Sequence, residues 1–228
     1  GPKTADVREG GRRLEGHAVR TPLLESPLLN RRVGGRLLIK AEVLQRTGSF
    51  KFRGAYNHIS RLDAAQLKAG IVAYSSGNHA QGVAAAAQIV GAPATIIMPS
   101  DAPALKIANT KAYGAEVRTY DRYHQDRETI GAELARVTGA SLVRPYDDAW
   151  VIAGQGTVGL EIAEQCRALG ITPDAVLSPA GGGGLIAGAS LAFEADLPAT
   201  KLYACEPEGF DDHRKSLASG DRTANEEG

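Results

Sequence analysis

Cysteine is nearly missing from this chain: Cys166 and Cys205 are the only two. Cys166 falls in a helical pattern and Cys205 at the end of a strand-like run. A disulfide framework and a cysteine-rich metal site are excluded, and two structural thiols suit a reducing, cytoplasmic setting. An excess of charge of either sign is missing too. With 26 basic and 26 acidic residues interspersed, no face for nucleic acid or an anionic membrane is expected, and the substrate is read as small. Long apolar runs are absent: Gly82 to Ala87 and Ala94 to Met98 fall far short of the ~20 residues a bilayer requires. No signal peptide is visible, nor any repeat, low-complexity segment or linker. His17, His58, His124 and His213 match no metal-ligand spacing and read as surface or packing residues. No Gly-x-Ser-x-Gly elbow and no Cys/His nucleophile pair is found.

What is present is alternation. At 228 residues and 43% hydrophobic, the chain can bury one good core or two modest ones. Strand-like runs at Leu37 to Ala41, Ile71 to Tyr74, Ala94 to Met98, Glu116 to Tyr120, Ser141 to Val143, Ala175 to Ser178 and Lys201 to Cys205 alternate with helical patterns. This is the signature of parallel sheets covered by helices, an α/β fold. Phe52, Ala55, Ile59 and Leu62 share one helical face, as do Val158, Ile162 and Cys166. Asn78 is placed to cap one helix, Pro103 to open another, and Asp147-Asp148 to precede a third. Ala218 to Gly228 is polar and shows neither period.

Chemistry concentrates at four places. In Thr47-Gly48-Ser49-Phe50-Lys51-Phe52-Arg53-Gly54-Ala55, a lysine stands between aromatic residues. Apolar walls would disfavour its ammonium and leave an amine able to condense with an aldehyde; taken alone, the residue reads as a lysine snorkelling from a helix start. Ser75-Ser76-Gly77-Asn78-His79 ends one strand and begins a helix, a place for a carboxylate or simply a capped turn. Ser178-Pro179-Ala180-Gly181-Gly182-Gly183-Gly184-Leu185 joins a strand to an apolar helix and is suited to a phosphate rather than to a linker role. Glu206, Asp211 and Asp212 follow the last strand, as oxygen ligands for a cation or as a solvated acidic turn. Gly154-Gln155-Gly156-Thr157-Val158-Gly159 matches a dinucleotide fingerprint, yet Asp174 stands at the wrong end of the next strand and Asp147-Asp148 reads as a helix cap ahead of the glycines.

Glu42, Thr47, Ser49, Phe50, Lys51, Arg53, Gly54 and Ala55 together resemble the cofactor-attachment signature of the serine/threonine dehydratase family. These are pyridoxal-phosphate enzymes whose relatives include serine racemase and 3-hydroxyaspartate ammonia-lyase. The resemblance runs from about Arg20 to Asp212 and implies a two-domain, tryptophan-synthase-β-like architecture (fold type II). Residues 70–147 would form a small domain, and 1–69 with 148–228 a large cofactor-binding domain that continues beyond this sequence in family members. It implies pyridoxal 5'-phosphate on Lys51, beside Phe50 and Asn78, with its phosphate on Gly181, Gly182, Gly183, Gly184 and Leu185. The substrate carboxylate would meet Ser75, Ser76, Gly77, Asn78 and His79, with Ser76 as the second catalytic residue. Arg127, otherwise a solvated charge, falls where some relatives place an arginine that reaches this carboxylate. Glu206, the carbonyl of Phe210 and Asp212 would hold Mg²⁺, Mn²⁺ or Ca²⁺. The implied reaction is β-elimination from L-threonine or L-serine, with tyrosine at position 146 favouring the dehydratase form. Racemisation, action on hydroxyaspartate, and a catalytically idle protein of the same fold are the alternatives. A homodimer is implied.

Overall fold

The computed structural model describes residues 1–225. Four parallel strands form the main sheet in the order β5-β4-β3-β6: β3 (Ile71–Tyr74), β4 (Ala94–Pro99), β5 (Glu116–Tyr120) and β6 (Ser141–Leu142). All of β3 is buried, as expected of a central strand covered on both faces. Helices α5 (Asn78–Val90), α6 (Ala104–Ala112) and α7 (Arg127–Thr138) make the crossovers.

Before this sheet come α1 (Thr4–Leu14), β1 (Leu23–Glu25), α2 (Pro27–Val33), β2 (Leu38–Lys40), α3 (Lys51–Ile59) and α4 (Ala64–Ala69). After it come α8 (Ala149–Ala168), β7 (Ala175–Pro179), α9 (Gly184–Asp196), β8 (Lys201–Cys205) and α10 (Asp212–Ser219). Strands β7 and β8 pair in parallel. The expected strand near Leu38 instead pairs antiparallel with β1, a three-residue strand whose short, half-exposed sequence carries no period. Helix α10 also extends to Ser219, into the stretch read as aperiodic; residues 226–228 lie outside the described residues.

The dinucleotide fingerprint lies inside α8, and its glycines have a packing role. A Cβ on Gly154 would meet the Arg53 carbonyl oxygen at 2.6 Å, and one on Gly156 the Gly188 oxygen at 2.6 Å. One on Gly188 would come within 2.2 Å of the Ile152 oxygen. Three helices, α3, α8 and α9, therefore touch backbone to backbone, which any side chain would prevent. Gly82 does the same for α5, where a Cβ would stand 3.1 Å from the Lys51 carbonyl carbon. Phe52, Ile59, Ile71, Ile96 and Met98 fill the core between α3, α5 and the sheet with no measurable exposure beyond 1%.

Arg53, 1% exposed, locks α3 to α8 from the other side. Its guanidinium donates to Glu42 at 2.8 and 2.6 Å, to Thr157 at 3.2 Å and to Glu161, while Glu161 also pairs with Lys40 at 3.0 Å. The start of α3 is thus fixed by packing on one side and by a buried ionic network on the other.

Candidate active site

Lys51 opens α3 directly after a turn that is left-handed at Thr47 (φ 67°) and Gly48 (φ 79°). Thr47 is the one non-glycine residue with positive φ among the described residues. Such a conformation costs about 1–3 kcal/mol and is retained where the surrounding structure imposes it. The Lys51 ammonium donates to the Pro145 carbonyl oxygen at 2.8 Å and stands 5.4 Å from the centre of the Phe50 ring. Only one of the two flanking rings reaches it: Phe52 turns into the core against Tyr56. A lysine between two rings is therefore corrected to a lysine against one ring and a carbonyl. Burial lowers its pKa from 10.5 to about 8, because an ammonium removed from water is disfavoured.

A cavity of about 250 Å³ opens above this amine, lined by Lys51, Ser75, Ser76, Gly77, Asn78 and His79 together with Tyr74, Lys106, Arg127, Pro145, Tyr146 and Gly182. It lies at the carboxyl end of β3, where ligands of parallel sheets collect. A larger hollow of about 570 Å³ lies between α1 and α8, but its charges are largely spent on one another, Arg8 on Asp196, Arg20 on Glu164 and Arg53 on Glu161. The smaller cavity holds cations and no carboxylate.

Helix α5 begins at this cavity. Gly77 is its cap, with Asn78 the first helical residue rather than the capping side chain the sequence suggests, and no side chain satisfies the first turn. The N–H groups of Asn78, His79 and Ala80 have no acceptor among the described residues, so a carboxylate fits here. The His79 ring does not join them. Its Nε2 donates to the Val143 carbonyl at 2.9 Å, and burial lowers its pKa to about 3, so the ring stays neutral and fixes the strap after β6. What His79 offers a carboxylate is its backbone N–H.

Two residues that carry no motif complete the pocket. Lys106, on α6, approaches Gly77 so closely that a Cβ there would lie 2.6 Å from its Nζ. Arg127, at the first turn of α7, stacks on Tyr74 at 5.3 Å instead of pairing with Asp126 or Glu128, and Asp126 caps the helix through Thr129. Neither cation has a carboxylate within ion-pair distance among the described residues. Lys106 had no signal in the sequence beyond its place three residues after Pro103.

The glycine stretch joins β7 to α9, as its position between a strand and a helix pattern implies. Gly183 is left-handed (φ 88°), and none of the N–H groups from Gly181 to Ile186 has an acceptor among the described residues. A Cβ on Gly182 would meet the Tyr146 ring at 2.1 Å. Successive free N–H groups at a helix start form an oxyanion cradle. With a desolvated amine on this cavity and a glycine loop of open N–H groups that reaches it at Gly182, the residues fit pyridoxal 5'-phosphate.

Glu206, Asp212 and His213 bring potential ligand atoms within 4.8 Å of one another. The two oxygens of Glu206 already accept the N–H groups of His213 (3.0 Å) and Arg214 (3.1 Å), capping α10. Phe210 closes the turn before it, half exposed, with its N–H on the Pro207 oxygen. His213, which sequence spacing leaves isolated, bonds the glycine loop instead, and His58, also read as isolated, stands 2.9 Å from Asp148.

An α/β fold with its cavity at a strand's carboxyl end, a lysine of lowered pKa and a glycine loop of open N–H groups is the arrangement of the fold type II pyridoxal-phosphate class. Residues 14–227 match the model of the family described as "Pyridoxal-phosphate dependent enzyme", and the chain belongs to that family. It is 51% identical over 215 residues to an L-threo-3-hydroxyaspartate ammonia-lyase of Pseudomonas sp, covering 94% of this chain and 66% of that protein. It is 43% identical to a serine racemase of Schizosaccharomyces pombe (96% and 67% covered) and 44% identical to an L-threonine ammonia-lyase of Thermotoga maritima (94% and 53%). Among solved structures it superposes on a T.th. threonine deaminase with TM-score 0.92 and 47% identity, covering 97% of this chain and 70% of that one. The chain thus spans about two thirds of the length of the first of these relatives.

Proposed function

We propose that this chain forms part of a pyridoxal-phosphate ammonia-lyase that removes the β-hydroxyl and amino groups of a β-hydroxy amino acid, L-threonine or L-serine, giving a 2-oxo acid and ammonia. The observation that carries the proposal is the convergence of Lys51, the open start of α5 and, through Gly182, the glycine loop on one cavity. Bound pyridoxal 5'-phosphate would supply the carbonyl that takes up the substrate amine and the electron sink for the pair left on Cα.

The chain's own residues do the rest. Lys51 Nζ, neutral in a useful fraction because of burial, removes the Cα proton. The N–H groups at the start of α5 with Ser75 and Ser76 hold the carboxylate, and Lys106 and Arg127 add positive charge on the same side. Asn78 and Phe50 would hold the ring of the cofactor. Gly181, Gly182, Gly183, Gly184 and Leu185 would hold its phosphate. Ser76, lining the same cavity as Lys51, would be the proton donor to the leaving hydroxyl; delivering that proton to Cα instead would make the site a racemase. Tyr146, packed on Gly182, favours elimination.

A second reading is elimination from L-threo-3-hydroxyaspartate. The 51% identity to a protein of that name and two cavity cations without a carboxylate partner favour it.

We also propose the division into a small domain, residues 70–147, and a large one, a division supported by the confinement of the four-stranded sheet to residues 71–142. A homodimer, a cytoplasmic location and a cation on Glu206, Phe210 and Asp212 belong to the same proposal. No helix among the described residues is long and apolar enough to cross a membrane.

The test is incubation of the full-length, cofactor-loaded protein with L-serine, L-threonine and L-threo-3-hydroxyaspartate, following 2-oxo acid and D-amino acid together. Accumulation of 2-oxo acid supports elimination, and the fastest substrate separates the two readings. A D-amino acid as main product overturns both.

A further inference from the structure

Four consecutive glycines are the least ordered backbone a protein can offer, and their conformational freedom must be removed before they can present N–H groups to a ligand. The loop Gly181 to Gly184 is held from two sides. On one, the Tyr146 ring packs where a Gly182 side chain would be. On the other stands His213, from the first turn of α10. Its Nε2 lies 2.7 Å from the Gly181 carbonyl oxygen. That oxygen can only accept, so Nε2 carries the proton and donates. The same ring lies against Gly183, where a Cβ would be 3.2 Å from His213 Cε1. His213 is itself anchored, because its backbone N–H donates to Glu206 at 3.0 Å.

We propose that His213 is a positioning residue for the phosphate cradle: by binding the Gly181 carbonyl it turns that oxygen away from the ligand, leaving the following N–H groups to face the phosphoryl oxygens. The glycines permit this conformation, and His213 selects it. The inference rests on the reading of this loop as the phosphate site. It adds a residue outside the glycine motif that tunes affinity for the phosphate end of the cofactor alone.

The test measures dissociation constants of pyridoxal 5'-phosphate and of pyridoxal, which lacks the phosphate, for the full-length protein and its His213→Ala and His213→Gln variants, with thermal melts to establish that each is folded. H213A weakens pyridoxal 5'-phosphate by about tenfold, the scale of one lost hydrogen bond, while pyridoxal changes by less than about twofold. H213Q, which places an amide N–H near the position of Nε2, recovers most of the loss. Equal affinity of H213A and the parent protein for the phosphate ester, or parallel weakening of both ligands, overturns the role of His213. A parent protein that binds pyridoxal as tightly as its phosphate ester overturns the phosphate reading of the loop, and this proposal with it.

Discussion

The Lys51 ammonium is 2.8 Å from the carbonyl oxygen of Pro145, so the start of α3 is tied directly to the strap between β6 and α8. That bond and the wall around it set the reactivity of the amine. Trapping of Lys51 by an aldehyde and borohydride, followed by peptide mapping across a pH series, is expected to reach half its maximal rate near pH 8. A midpoint near the ordinary lysine value of 10.5 would show that the amine is not desolvated.

His79 makes a prediction about stability. Its pKa is lowered from 6.5 to about 3 by burial, so the unfolded chain takes up a proton below pH 6.5 that the folded chain refuses. Stability is fully present above that pH and falls as the medium is acidified. By linkage the loss from this residue between pH 6.5 and about pH 5 is about 2 kcal/mol. Urea titrations at the two pH values should show this drop in the parent protein and a smaller one in His79→Gln, which keeps a donor for Val143. Equal drops would contradict the assignment.

The buried network around Arg53 behaves as a unit. Arg53→Met leaves Glu42 without its cation and Glu161 with Lys40 alone and should cost roughly 3–5 kcal/mol, whereas adding Glu42→Gln to it should restore a part, because Glu161 keeps Lys40. Denaturation midpoints of the single and double variants decide this. A single variant as stable as the parent would mean that the network does not hold α3 to α8.

These features differ in how far the sequence discloses them. Ile71–Tyr74, Glu116–Tyr120 and Lys201–Cys205 are legible because each is a run with strand composition set between helical patterns. β1 is not, having three residues and little burial to impose a period. Lys51, the Ser75 to His79 turn and the glycine loop are legible as contiguous motifs. Lys106 and His213 are not, because each reaches the site from a separate element through tertiary folding, and a single lysine or histidine carries no local pattern. The glycines of α8 mislead for a related reason: close helix contacts and phosphate loops both demand a missing Cβ, and only the structure shows which demand is met.

Lys106 tests the electrostatic part of the proposed site. Lys106→Gln should raise KM for the amino-acid substrate by about tenfold with a smaller change in kcat, and Lys106→Arg should stay near the parent, since an ammonium beside a carboxylate acts mainly in binding. Steady-state kinetics on both variants provide the check. An unchanged KM in K106Q would remove this cation from the carboxylate site.

The most direct measurement is the mass of the full-length protein after loading with pyridoxal 5'-phosphate and reduction with borohydride, with peptide mapping of the adduct. A single stable adduct on Lys51, absent from Lys51→Ala, is the predicted result. An adduct on any other lysine, or none, would contradict the account.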